Sequence, residues 1–274
     1  MSTPVVVGYD GSPAADAAVR YGARQAARRG SELRIVHAFG WYVLLAPMYP
    51  PTLNVDLGPR EALLDMLART ASRVHNEFPD LTVTTRLVDG SPAAVLIDAS
   101  REAQLLVVGH RGIGGFAGLL AGSTATQLAG HAHCPVTVVR DAKTTDGAAI
   151  VLGMDGSPHA LAAAEIAFAE AGRQDAELVV ISHGRKPSET EPDPVTAQLD
   201  ELAGRYADVK YRREAVDAPT AAAALIDTAN RLGAAIVVGT RGHGELRGLI
   251  TGSTSRALVD HAGCPVTIVP SPAA

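Results

Sequence analysis

No stretch of this chain gathers lysine and arginine into a dense cluster. Its 24 basic residues are outnumbered by 29 acidic ones, giving a formal charge of −5 and a pI near 6.0. The cationic footprint of a nucleic-acid binder is missing, so no polyanionic partner is expected. Cysteine is almost absent as well. The two present, Cys134 and Cys264, suit reduced, buried thiols better than a staple built for secretion. The opening MSTPVVVGYD enters a strand-like run with no basic leader and no small-residue cleavage site. The apolar stretch WYVLLAPMYPP is too short and too rich in proline to cross a bilayer. These absences predict a cytoplasmic protein without a membrane span.

Hydrophobic residues make up 47% of the 274 and charged residues 19%, with a mean hydropathy of +0.12, which describes a soluble globular chain rather than a disordered one. The length suits two domains of ordinary size, and an internal duplication supports that division. VVVGYDGSP at 5–13 returns as IVLGMDGSP at 150–158, and GHRGIGGFAGLLAGST at 109–124 as GTRGHGELRGLITGST at 239–254. HAHCPVTVV at 131–139 likewise returns as HAGCPVTIV at 261–269. Asp10 recurs 145 positions on as Asp155, whereas Gly109 and Cys134 recur 130 positions on as Gly239 and Cys264. The second copy is shorter by that difference, 15 residues. The loss falls where the first copy carries the aromatic, proline-bearing loop 40–58 and the second the polar RKPSETEPDPV. The short polar DAKTTDGA at 141–148 reads as a linker, which sets the domains at 1–142 and 148–274.

Within the first copy the pattern predicts strands at 4–9, 32–39, 82–88, 104–109 and 135–140, and helices at 13–30, 60–78, 91–102 and 122–131. VVVG, LRIVHAF and LLVVG are apolar runs with little alternation, as expected of parallel strands covered on both faces. Ala15, Ala18, Val19, Gly22 and Ala26 fall along one side of the first helix. Pro92 and Pro219 are expected in the first turns of their helices, where a missing N–H costs nothing. The predicted class is α/β: two tandem Rossmann-like, doubly wound domains, each a five-stranded, mainly parallel sheet flanked by helices.

Such sheets bind ligands beyond the carboxyl ends of their strands, where strand order reverses. Both copies keep Gly, two residues, Gly, nine residues, Gly-Ser-Thr after the fourth strand, and this spacing suits an anion cradle. Gly109 and Gly112 would let the backbone approach a bound group or take positive φ. Gly122, Ser123 and Thr124 would begin the next helix, whose free N–H groups and dipole favour phosphate. No G-x-x-x-x-G-K-[ST] loop occurs, so this is not a Walker A device. Asp10 and Asp155 have two readings: acceptors for ribose hydroxyls, or members of a DGSP turn and helix cap.

On the first-strand Asp of GYDGS and GMDGS, the twice-repeated Gly motif and the closing CPV strand, the sequence resembles the universal stress protein family, in particular its tandem-domain members that bind ATP. The likeness covers nearly the whole chain. It implies one ATP site per copy, with Mg²⁺ a possible companion, and a regulatory role in the stress response. Carried over residue by residue, the first site would use Gly8, Asp10, Ala38, Gly109, Arg111, Gly112, Gly122, Ser123 and Thr124. The second would use Gly153, Asp155, His183, Gly239, Arg241, Gly242, Gly252, Ser253 and Thr254. Ala38 and His183 would meet adenine through backbone, and Arg111 and Arg241 would either reach phosphate or lie solvated. The apolar Trp41–Pro51 loop would cover the first site or offer a partner surface. The resemblance also implies that the closing strands PVTVVR and PVTIVP pair with one another, with chain-to-chain homodimerisation beyond that.

HAHC at 131–134 loses one histidine in the second copy, so no metal site is expected; His131 and His261 suit helix C-termini instead. No Gly-x-Ser-x-Gly elbow or shared Ser-His-Asp set is present, and no second carboxylate pairs with Asp10. Binding without efficient turnover is the expectation. Two alternatives stay open: a weak ATPase or phosphotransferase using the same sites, and an interaction module whose sites are vestigial.

Overall fold

Val5, Val6 and Val7 have no exposed surface, because the strand they form lies in mid-sheet with helices packed on it. The computed structural model describes residues 3–40, 58–113, 122–140, 149–183, 194–240 and 252–270. The chain divides into two units, Met1–Leu128 with Ala132–Cys134, and Ala129–His131 with Pro135–Ala274.

The first unit runs β1 (Val5–Gly8), α1 (Pro13–Arg29), β2 (Leu33–Phe39), α2 (Gly58–Glu77), β3 (Val83–Asp89) and α3 (Pro92–Ala99). A 3-10 turn at Ser100–Glu102, β4 (Leu105–Gly109) and the start of α4 (Ser123–His131) complete it. All four strands are parallel, and β1 lies between β2 and β4 in the order β3-β2-β1-β4. The chain steps outward from β1 to β3 and returns past β1 to β4, so strand order reverses between β1 and β4. A crevice opens at such a reversal.

Local chemistry explains where α1 starts and stops. The Ser12 hydroxyl accepts the Ala15 N–H at 3.1 Å, Pro13 occupies the first turn, and Gly30 ends the helix in the left-handed region at φ 58°. Ala15, Ala18, Val19, Gly22 and Ala26 are all buried, as their spacing predicts. At Gly22 a Cβ would strike Val7, so the helix rests directly on β1. The strands lie within one residue of their predicted bounds, and the long helix expected over 91–102 ends as an α-helix at Ala99 before the 3-10 turn.

The second unit contains β5 (Val136–Val139), β6 (Ala149–Gly153), α5 (Pro158–Gln174), β7 (Glu177–His183), α6 (Pro194–Arg205) and β8 (Tyr211–Val216). It continues through α7 (Ala221–Leu232), β9 (Ala235–Gly239), α8 (Ser253–His261) and β10 (Val266–Val269). Strands β8, β7, β6, β9 and β10 are parallel neighbours in that order. β5, the closing strand of the first copy, pairs antiparallel with β10. Thr137 sits opposite Thr267 there, and their buried hydroxyls lie 2.9 Å apart, each meeting the other's need for a partner. Arg140 donates to the Val259 and Asp260 carbonyls at 3.0 and 2.6 Å, placing a cation at the negative end of α8. Phe168, fully buried, stacks on Tyr206 and meets Tyr211 edge-on.

Pro219 departs from expectation. Thr220, extended at φ −146°, is the N-cap of α7, and its hydroxyl accepts the Ala223 N–H at 3.1 Å. Pro219 thus precedes the cap, while Pro92 does occupy the first turn of α3. No helix among the described residues is long and apolar enough to cross a membrane.

His131 and His261 close α4 and α8, and the two cysteines lie just before β5 and β10. Burial pushes the Cys134 thiol up to about 12 and the Cys264 thiol up to about 11. Because the thiolate is the nucleophile, both should alkylate far more slowly at pH 8 than in denaturant. Cys264, the less buried of the two, should react first. Peptide mapping after iodoacetamide treatment checks this; rapid labelling of native Cys134 would contradict it.

Candidate functional site

The crevice between β1 and β4 holds a cavity of about 410 Å³. The β1 exit contributes Gly8, Tyr9 and Asp10, the β4 exit Gly109, Arg111 and Gly112, and the start of α4 Gly122, Ser123 and Thr124. Val36, His37 and Ala38 from β2 and Pro92 and Leu96 from α3 complete most of the wall. All nine residues predicted for the first site therefore line one cavity. Its lining is of two kinds: Val36, Ala38, Leu96 and Val108 are apolar, with Gly8 against the last two, whereas Asp10, Gly112 and the α4 N-terminus make a polar side.

Asp10 fastens that polar side. Its Oδ1 accepts the Ser12 N–H at 3.0 Å and its Oδ2 the Ile113 N–H at 2.9 Å. Ser12, besides capping α1, donates its hydroxyl to the Arg111 carbonyl at 3.4 Å. The turn-and-cap reading of DGSP is therefore correct, and the same turn also holds the glycine loop through two contacts.

Of the two alternatives for Gly109 and Gly112, positive φ is not found; among the described glycines only Gly11, Gly30, Gly90, Gly156 and Gly233 take it. A Cβ on Gly109 would lie 2.7 Å from the carbonyl carbon of Ala14 and 2.8 Å from its oxygen. The backbone at Gly109 thus lies close to the first turn of α1. A Cβ on Gly112 would collide with Asp10 Oδ2. Gly122 donates its N–H to the His110 carbonyl at 2.8 Å and serves as N-cap of α4 with no side-chain cap. The first N–H groups of α4 thus open towards the cavity without the internal acceptor that Ser12 gives α1.

The second copy repeats this construction where it is described. Asp155 Oδ1 accepts the Ser157 N–H at 2.9 Å, and Ser157 caps α5 through the Ala160 N–H at 3.2 Å. Gly239 lies against His159 as Gly109 does against Ala14. Gly252 donates to the Thr240 carbonyl at 2.7 Å and begins α8 without a side-chain cap, placing Ser253 and Thr254 in its first turn. Gly153 ends β6 beside Leu225, as Gly8 ends β1 beside Leu96. Arg241 and Gly242 lie outside the described residues, as does the loop Trp41–Pro51.

Three participants are not among the residues proposed for the site. Ile113 acts through its backbone N–H alone, so no side-chain pattern marks it. Leu96 was traceable, because VLID at 95–98 recurs as ALID at 224–227. His37 Nδ1 lies 2.7 Å from the Tyr9 carbonyl, which requires a proton on that nitrogen and ties β2 to the β1 exit. By strand register its counterpart is Ser182, and that of Ala38 is His183, whose Nε2 lies 2.7 Å from the Ala218 carbonyl. The corners of the two sites at β2 and β7 therefore differ. No group of three or more His, Cys, Asp or Glu among the described residues is placed to hold a metal.

The sequence model of the universal stress protein family matches residues 1–140 and again 148–270. The chain belongs to that family. It is 34% identical to a universal stress protein of Mycolicibacterium smegmatis, over 97% of this chain and 96% of that one. A universal stress protein of Mycobacterium tuberculosis is 33% identical, with the same coverage. Among solved structures, a universal stress protein of Archaeoglobus fulgidus superposes with a TM-score of 0.75 at 17% identity, covering 99% of this chain and all of that one. That likeness establishes a shared fold, a mostly parallel sheet flanked by helices, and the two family-model matches give two universal stress protein domains in the chain.

The two motif glycines make separable predictions. Gly109→Ala and Gly239→Ala should each cost about 1–3 kcal/mol of stability by overpacking against helix backbone, read as a lower urea midpoint. Gly112→Ala should instead release the Ile113 amide from Asp10, read as faster hydrogen exchange at that amide. An Ile113 amide still fully protected would contradict the role given to Asp10.

Proposed function

We propose that this universal stress protein is a nucleotide-dependent regulator that binds ATP, one molecule per copy, with the first site in the cavity between β1 and β4. The observation that carries the reading is the union, in one cavity, of an apolar side and an uncapped helix N-terminus. A nucleoside triphosphate needs both: a slot that excludes water from a flat base, and N–H donors with a positive dipole for phosphate.

In this reading adenine lies against Val36, Ala38 and Leu96. Each Asp10 oxygen already accepts one N–H and retains a lone pair for a ribose hydroxyl. Gly112, Gly122, Ser123 and Thr124 surround the phosphates with backbone N–H groups and two hydroxyls. Mg²⁺ typically relies on substrate phosphates and one or two carboxylates rather than a dedicated protein cage, so the residues present fit a cation carried in with the nucleotide. Regulation follows from the Asp10 contacts: a ligand that engages this carboxylate acts on the group that holds the loop at Ile113, so occupancy is coupled to loop position. The second copy supplies the equivalent Asp155, Gly252, Ser253 and Thr254.

Equilibrium binding of Mg-ATP to the full chain, with phosphate release followed in parallel, tests the reading. The Asp10→Ala/Asp155→Ala double variant should bind at least about tenfold more weakly, as expected when charge-assisted hydrogen bonds are lost. Wild-type protein should show binding without efficient turnover. Unchanged affinity in the double variant would refute the site, and rapid phosphate release would replace the regulator by an ATPase.

A further inference from the structure

A second cavity in the first unit, about 440 Å³, lies among β2, β3, α3 and the 3-10 turn, and shares only Val36 with the cavity described above. Its lining combines apolar Val36, Val88 and Val95 with three arginines, Arg34, Arg86 and Arg101, and three carboxylates, Asp89, Asp98 and Glu102. Arg86 sits opposite Val36 in the β2–β3 register, so strand alternation puts Arg34, Val36, Arg86 and Val88 on one face of the sheet.

These arginines are weakly compensated. Arg34 lies 3.4 Å from Glu32 and 3.6 Å from Glu102, and Arg101 lies 3.7 Å from Asp98. Such separations exceed those of close charge-assisted hydrogen bonds, and Glu102 and Asp98 are 73% and 87% exposed, where ion pairs are screened. Asp89 is engaged by Arg60 at 2.8 Å. Among the described residues the Arg86 side chain has neither an ion pair nor a hydrogen bond.

The second unit shows what this arrangement lacks. Glu214 sits opposite Ile181 as Arg86 sits opposite Val36, and Arg231 stands eight residues before Gly239 as Arg101 does before Gly109. Glu214 accepts from Arg231 at 2.8 Å and from Arg212 at 2.8 and 3.1 Å, while Arg212 also pairs with Glu177. Burial opposes ionisation of Glu214, but Arg212 and Arg231 outweigh it and hold the carboxyl below the usual range. One carboxylate therefore serves as the shared acceptor in the second unit, and an arginine replaces it in the first.

We infer that the groove of the first unit is a second ligand site, for a small organic anion bearing a carboxylate or phosphate monoester on an apolar body. The anionic group is held among Arg34, Arg86 and Arg101, much as Arg212 and Arg231 hold the Glu214 carboxylate in the second unit, and the apolar body lies on Val36, Val88 and Val95.

Phenyl phosphate, titrated into the full chain with arginine Nε–H resonances followed by NMR, tests this site. Resonances of Arg34, Arg86 and Arg101, assigned with single Lys variants, should shift saturably with one common dissociation constant. Arg86→Glu, which restores the carboxylate of the second unit at an exposed position, should weaken binding about tenfold or more. Inorganic phosphate should bind more weakly than phenyl phosphate, because it leaves the apolar lining uncovered. Benzoate in the same titration separates the two sources: tighter binding of either compound identifies the anionic group. Absence of saturable shifts with both, equal affinity in Arg86→Glu, or shifts confined to Gly112 and Ser123 in the first cavity would overturn the inference.

Discussion

The Asp10 carboxylate accepts one hydrogen bond from Ser12, two residues away, and one from Ile113, 103 residues away. It thereby joins the exit of β1 to the exit of β4 where strand order reverses. Much else follows from that junction. Ser12 can cap α1 and reach Arg111 only while the turn is held, and α1 can pass so close to the end of β4 only because Gly109 lacks a side chain. Gly112 lacks one so that the carboxylate can lie beside it. The cavity is what remains when these three elements are drawn together and α4 begins on the far side without a cap of its own.

The alternation of strands and helices was legible because parallel strands covered on both faces need unbroken aliphatic runs such as VVVG and LLVVG. Ser-Pro before each first helix and Gly30 after α1 marked their ends for the reasons that caps exist. The grouping of the nine residues proposed for the first copy was legible, since all nine line one cavity. Their roles were not legible. Nothing local to Gly109 says that Ala14 will lie against it, and a contact between residues so far apart in sequence has no local signature. Ile113 was invisible because a backbone N–H does its work, and the second copy places His243 there. Pro219 was misplaced because Ala218-Pro219-Thr220 resembles Ser91-Pro92 until the Thr220 hydroxyl is seen to cap.

Duplication left two units built alike but free to diverge at their margins. Asp155, Ser157 and Gly239 repeat contacts made by Asp10, Ser12 and Gly109, so packing accounts for their recurrence. The residues that merely line a wall differ, with Ser182 for His37 and His183 for Ala38. The β2–β3 and β7–β8 faces have gone further: an internally satisfied charge network in one unit is matched in the other by two loosely paired arginines, Arg34 and Arg101, beside Arg86.

The central claim is that a nucleotide occupies the crevice with its phosphates at the start of α4. A crystal structure of the full chain grown with Mg-ATP tests it most directly. The account predicts phosphate density within hydrogen-bond distance of the Ser123 and Thr124 N–H groups, a ribose hydroxyl on Asp10 and the base against Ala38. Nucleotide bound anywhere else in the first unit, with this crevice empty, would contradict it.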